Sequence, residues 1–125
     1  MPSNNQQGYF ELARRVAGGS DLRCRLGSVL VKSGRVLNVA CNRRSPRAAD
    51  RRRGYWTLHA EIAACLGLDD SSIRNADVYS FRATRDGRIA DSAACVLCRS
   101  LLSELGVKRV FYTTAAEPYY GVLKL

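Results

Sequence analysis

The sequence contains a single histidine, His59, and it stands two residues before an acid in Thr57-Leu58-His59-Ala60-Glu61. Further along, Cys95-Val96-Leu97-Cys98 sets two thiols three residues apart. On a helix, residues i and i+3 share a face, so both sulfurs can aim at one ion. A helix N-terminus also favours negative charge, which lowers thiol pKa values and readies sulfur as a ligand. His59, Cys95 and Cys98 therefore make three candidate ligands for Zn2+. A structural zinc site takes a fourth protein ligand. Three ligands leave one tetrahedral position for water, as catalytic sites do. Zinc lowers the pKa of such a water from about 15.7 to about 7. Glu61 is then placed to take the water's proton and pass it to a leaving group. Alone, a Cys-x-x-Cys pair is often redox-active or merely buried, and a lone histidine is often a packed polar side chain. The weight lies in the combination of ligand types, their order and the neighbouring acid.

These residues need elements to hold them. Tyr9 to Ala17 carries apolar residues at 9, 10, 12, 13, 16 and 17, which predicts a helix stopped by Gly18-Gly19. Leu26 to Lys32 and Val36 to Cys41 flank Ser33-Gly34 and predict a β-hairpin. Asn42 to Thr57 is polar and basic and predicts a loop. Leu58 to Leu66 predicts a helix ended by Gly67. Ala76 to Ala83 predicts a strand, Arg85 to Asp91 a turn, Ser92 to Leu105 a helix closed by Gly106, and Val107 to Thr113 a strand. The tail from Thr114 to Leu125 has no assigned element. An initial hairpin followed by strands alternating with helices implies one α/β domain over residues 1–125. Its expected architecture is a three-layer α/β/α sandwich on a mixed sheet.

Composition narrows the class of function. Lys and Arg total 20 against 11 Asp and Glu, a net charge of +9, and only residues 32, 108 and 124 are Lys. That field attracts phosphorylated small molecules or polyanions, although an arginine-rich surface can also serve solubility alone. No run approaches the roughly 18 apolar residues of a membrane span. The first 20 residues contain no signal-type apolar stretch. A cytoplasmic protein without membrane contact is expected. The five cysteines are odd in number, which argues against a disulfide framework. Cys24, Cys41 and Cys65 sit in apolar patterns and read as small core residues.

The order and spacing of these motifs resemble the cytidine and deoxycytidylate deaminase superfamily over most of the chain. His59-Ala60-Glu61 matches its His-Ala-Glu motif, and Ser92 to Cys98 resembles Ser-x-Pro-Cys-x-x-Cys. Leu105 to Thr113 looks like the family's Gly-Ile-x-x-Val-x-Tyr strand. Ala94 stands where the family usually has proline, so a looser turn into the helix is expected. The resemblance implies hydrolytic, zinc-dependent deamination of a nucleobase with Glu61 as proton carrier. It also implies that Asn42 contacts the substrate's sugar, where the bland alternative is a strand-ending turn residue. Backbone groups of Ala60 would meet the base edge.

The expected substrate is cytosine in a free nucleotide or nucleoside. The alternative is cytosine in single-stranded DNA or RNA, or adenosine in tRNA. A non-catalytic, nucleic-acid-binding zinc protein is a third reading, which the retained Glu61 disfavours. Arg43, first of a run with Arg44, Arg47, Arg51, Arg52 and Arg53, is a candidate phosphate contact. Tyr55, Trp56, Tyr119 and Tyr120 are candidates to stack on a base or simply to cap the core. Homo-oligomer formation through apolar edges such as residues 119–125 is also expected, since relatives of this type commonly assemble.

Overall fold

A computed structural model describes residues 3–20, 22, 24–44, 57–84 and 86–125. Arg47, Arg51, Arg52, Arg53, Tyr55 and Trp56 lie outside the described residues.

Helix α1 spans Asn4–Ala17 and strands β1 (Arg25–Lys32) and β2 (Arg35–Cys41) form the expected hairpin. A second, two-stranded sheet pairs β3 (Arg43–Arg44) with β4 (Thr57–Leu58). Helices α2 (Ala60–Cys65) and α3 (Asp70–Ile73) follow, then β5 (Asp77–Ala83), β6 (Ile89–Ala90), α4 (Val96–Leu105), β7 (Arg109–Thr113) and β8 (Tyr120–Lys124). The main sheet runs β2-β1-β5-β7-β8, with β6 paired to the end of β5. Among the described residues, only β5 and β7 pair in parallel, joined through α4; the other pairs of the main sheet are antiparallel. The sheet is mixed, as expected.

Strand alternation builds the two outer layers. Val29, Val31, Tyr79, Phe81 and Phe111 turn to one face and pack with Phe10 and Ala13 of α1. Tyr79 and Phe111 stack there with ring centroids 4.5 Å apart, an arrangement worth about 0.5–1.5 kcal/mol beyond area burial. Leu30, Val78 and Val110 turn to the other face, against Ala64 and Cys65 of α2, Ile73 of α3 and Leu102 of α4. Gly27 admits α1 to the sheet, because a Cβ there would overlap the Ala13 carbonyl and the Ala17 amide. The result is the three-layer α/β/α sandwich. Among the described residues, no helix is long and apolar enough to cross a membrane.

Several boundaries differ from expectation for local reasons. Helix α1 begins five residues before Tyr9, because Ser3 and Gln6 form a reciprocal capping box. The basic loop opens with a strand, since Arg43 and Arg44 pair with Leu58 and Thr57. The predicted helix at 58–66 therefore contracts to Ala60–Cys65. Helix α4 starts at Val96 and not Ser92, because Ser92 is drawn into bonds with β5 and β7. The unassigned tail supplies β8, the edge strand beside β7. Of the three cysteines read as core, only Cys65 is buried; Cys41 is half-buried and Cys24 is exposed at the rim of a cavity. Leu22 and Cys24 precede β1, lie in no strand and line the cavity wall.

Candidate metal centre and active-site cavity

Two helix starts bring the metal-binding side chains together. His59 is the N-cap of α2 and Cys95 the N-cap of α4. An N-cap side chain projects across the first turn toward the N3 amide. Cys95 follows this rule, its Sγ accepting from the Cys98 amide at 3.5 Å. Cys98 is then one turn inside α4 and on the same face. His59 Nδ1 lies 3.0 Å from Cys98 Sγ and 3.6 Å from Cys95 Sγ. One donor atom from each of the three residues falls within 4.8 Å of the others. Two soft sulfurs and an imidazole nitrogen form a donor set suited to zinc. His59 and Cys95 are exposed while Cys98 is buried, so the cluster has a closed side and an open one.

The two thiols differ in chemistry. Burial pushes the Cys98 thiol well above its ordinary value, and Glu61 and Cys95 add in the same sense. Burial therefore outweighs the helix-terminus effect expected at Cys98. A divalent cation held by the three donors would reverse that balance, since a coordinated thiol is deprotonated outright.

Glu61 sits in the first turn of α2 and is only 3% exposed. Burial raises its pKa, opposed by its own backbone hydrogen bond, the neighbouring His59 and the Ser80 hydroxyl. Ser80 Oγ donates to Glu61 Oε1 at 3.4 Å and lies 2.9 Å from Ser28 Oγ, its register partner on β1. A buried carboxyl with few donors is ready to exchange a proton.

A cavity of about 480 Å³ opens over this group. His59, Ala60, Glu61 and Cys95 line its chemical end. Ala60 is fully buried, and as the first residue of α2 its amide has no acceptor within the helix. Asn42 also lines the cavity, but its side chain is already engaged: Oδ1 accepts from the Leu26 amide at 3.0 Å and Nδ2 donates to the Cys24 carbonyl at 2.6 Å. It fastens the stretch leading into β1 to the end of β2, and retains one N–H and lone-pair capacity for a ligand.

Arg43 and Tyr119 are not among the residues lining this cavity. Arg43 is exposed on β3 opposite Leu58. Tyr119 borders a separate depression with Phe10, Phe81 and Pro118, on the α1 face of the sheet. The cavity wall does include Arg82, which sequence reasoning missed. Its signal was strand parity: Arg82 is two residues after Ser80 and so shares the face that meets Glu61.

The segment entering α4 is well anchored despite Ala94. Ser92 Oγ donates to the Ser80 carbonyl at 2.9 Å and accepts from the Thr113 amide at 2.7 Å. Asp91 Oδ1 accepts from the Ala93 amide at 2.9 Å, and Arg99 Nε donates to the Ala94 carbonyl at 3.0 Å. These bonds replace the looser turn expected from the missing proline.

The sequence matches the family described as the cytidine and deoxycytidylate deaminase zinc-binding region over residues 3–114. Among curated proteins, none matches the chain by sequence. The fold is similar to that of dCMP deaminase from cyanophage S-TIM5, with a TM-score of 0.69, 21% identity, and coverage of 91% of this chain and 86% of that one. Cytidine deaminase from Burkholderia pseudomallei gives a TM-score of 0.68 and 20% identity, covering 94% of this chain and 91% of that one. The cyanophage enzyme in complex with dCMP and dUMP gives 0.61 and 21%, covering 88% and 81%. With the family match spanning nearly the whole sandwich and its His/Cys/Cys group fitted to Zn2+, the chain belongs to the cytidine and deoxycytidylate deaminase family of zinc-dependent hydrolytic deaminases.

Proposed function

We propose that this single domain removes the exocyclic amine of cytosine in a free nucleotide or nucleoside, converting the base to uracil and releasing ammonia. The observation that carries this reading is the shared cavity. His59, Cys95 and Cys98 bring three metal donors together, and the buried Glu61 carboxylate lines the same space. Those three residues would hold zinc, and the chemistry it would supply is acidification of a water for attack on the base. Glu61 takes a proton from the attacking water as its oxygen bonds to C4, and delivers it to ring N3. The proton left on the new C4 hydroxyl then passes through Glu61 to the amine as the C4–N4 bond breaks, leaving the C4 carbonyl of uracil and ammonia. Ser80 holds the carboxylate in position. The Ala60 amide offers a donor to the base edge, and Asn42 shapes the wall beside the sugar. A cavity of about 480 Å³ matches the size of typical small-molecule sites. The cyanophage relative, solved with dCMP and dUMP, makes a nucleotide substrate the first to test.

A second reading, cytosine within single-stranded nucleic acid, draws on the net charge of +9 and on Arg43 and Arg44, exposed on the strand that pairs with the approach to His59. The deciding experiment incubates zinc-loaded protein with dCMP, cytidine and a cytosine-containing single-stranded DNA. Ammonia release is measured beside a Glu61→Ala control. Release from dCMP or cytidine that the variant loses supports the proposal. Release confined to the DNA transfers the activity to polynucleotides, and release equal in the control overturns the role of Glu61.

A further inference from the structure

We infer that Arg82 is the anion-reading residue of the cavity and takes a terminal phosphate monoester carried by the substrate. The inference deepens the deaminase reading and rests on it.

Strand β5 alternates, so Ser80 and Arg82 project from the same face about 7 Å apart. Ser80 is fully buried and touches Glu61, while Arg82 is only half-buried. The strand thus leads from the proton-carrying end of the cavity to its mouth, with a guanidinium one side-chain repeat outward. A substrate with its base at Glu61 directs its far end that way.

Arg82 is held without being neutralised. Nη1 donates to the Asp91 carbonyl and Nη2 to Cys24 Sγ, both at 3.4 Å. These are long bonds to weakly charged acceptors. Among the described residues Arg82 has no carboxylate partner, whereas Arg109 on the next strand forms a two-point pair with Asp77 at 2.8 and 3.0 Å. Asp91 also lines the cavity, but its Oδ1 accepts from the Ala93 amide and only its carbonyl meets Arg82. Arg82 is flanked by Cys24 and by its own register partner Leu26, and Leu22 lines the same cavity. That mostly apolar surface reduces screening of an ion pair formed there. A planar guanidinium with spare N–H groups binds phosphate oxygens two at a time.

The test uses zinc-loaded protein in a Glu61→Gln background, so that ligands bind without turnover. Calorimetric titration compares dCMP, deoxycytidine and a cytosine-containing oligonucleotide lacking a terminal phosphate. With Arg82 present, dCMP should bind at least about tenfold more tightly than deoxycytidine. Arg82→Ala should bring that ratio toward one, and Arg82→Lys should restore part of it. Asp91→Asn should raise the ratio by removing a nearby negative charge. Circular dichroism confirms that each variant is folded. Equal weakening of dCMP and deoxycytidine, no phosphate preference in the Arg82-containing protein, or binding of neither ligand overturns the assignment. A greater effect of Arg82→Ala on the oligonucleotide than on dCMP overturns the monoester in favour of backbone phosphate. Failure of the deaminase reading shows separately, as phosphate-dependent binding with no ammonia release when Glu61 is restored.

Discussion

Ser80 Oγ sits 3.4 Å from Glu61 Oε1 and is itself backed by Ser28 Oγ at 2.9 Å, so a two-hydroxyl chain across β1 and β5 reaches the buried carboxyl. The Ser80 bond favours the ionised carboxylate against the burial that raises its pKa. Ser80→Ala should therefore raise that pKa further. The acid limb of the kcat–pH profile should move to higher pH, and kcat should fall by about tenfold, as for other residues that orient groups around a metal. A profile unchanged in position would show that the serine only fills space.

Glu61 carries a stability cost set by its burial. Its folded-state pKa is raised by burial above the ordinary 4.5. The folded state therefore binds the proton more tightly than the unfolded state. The penalty is absent below the unfolded pKa, grows as pH rises through the folded pKa, and stays at its full value above it. Glu61→Gln keeps an acceptor for Ser80 and removes the charge. In metal-free protein, Tm of the variant should exceed that of the parent at pH 7.5, and the gap should close at acid pH. A gap that is constant with pH would point to packing as its source.

How much of this was legible in the sequence depended on the range of the interactions. The clustering of His59, Cys95 and Cys98 and the nearness of Glu61 were readable because each motif lies within one helical turn. The three layers were readable because alternation in Val29–Val31 and Val78–Phe81 is local. Strand parity places Arg82 on the face of Ser80, but its position on the cavity wall depends on β1, β5 and residues 91–93 meeting in space. Strand β3 was hidden inside a basic run, since two residues pairing with Thr57–Leu58 leave no periodic pattern. Tyr119 and Arg43 were chosen for residue type, and type alone does not say which side of the sheet a tail or a short strand occupies.

Metal binding should be lost in steps that follow burial. Cys98 is buried between His59 and the start of α4, while Cys95 is open to solvent. Cys98→Ala removes a ligand that water cannot easily replace. Cys95→Ala leaves a position that solvent can fill. Both variants should bind less than the one zinc per chain expected of the parent, with the greater loss in Cys98→Ala, measured by elemental analysis after dialysis against a chelator. Stripping zinc from the parent should also lower its Tm, because a metal that binds only the folded site stabilises it. Equal zinc retention in all three proteins would remove Cys95-x-x-Cys98 from the ligand set.

Ser92 links the turn before the cysteines to the centre of the sheet. Its hydroxyl donates to the Ser80 carbonyl, accepts from the Thr113 amide and lies 3.0 Å from Thr113 Oγ1, all out of contact with water. Ser92→Ala leaves the Thr113 amide without that acceptor and the Ser80 carbonyl without that donor, a loss of about 1–3 kcal/mol for a buried polar group left unmet. The same change frees the segment that carries Cys95, where proline is already replaced by Ala94. Denaturant unfolding should therefore show reduced stability, and zinc affinity should fall with it. Ala94→Pro introduced on top should recover zinc affinity more than stability. Its fixed φ restrains the backbone just before Cys95, while the buried amide of Thr113 still lacks an acceptor. Full recovery of both by the proline would place the defect in the backbone turn alone.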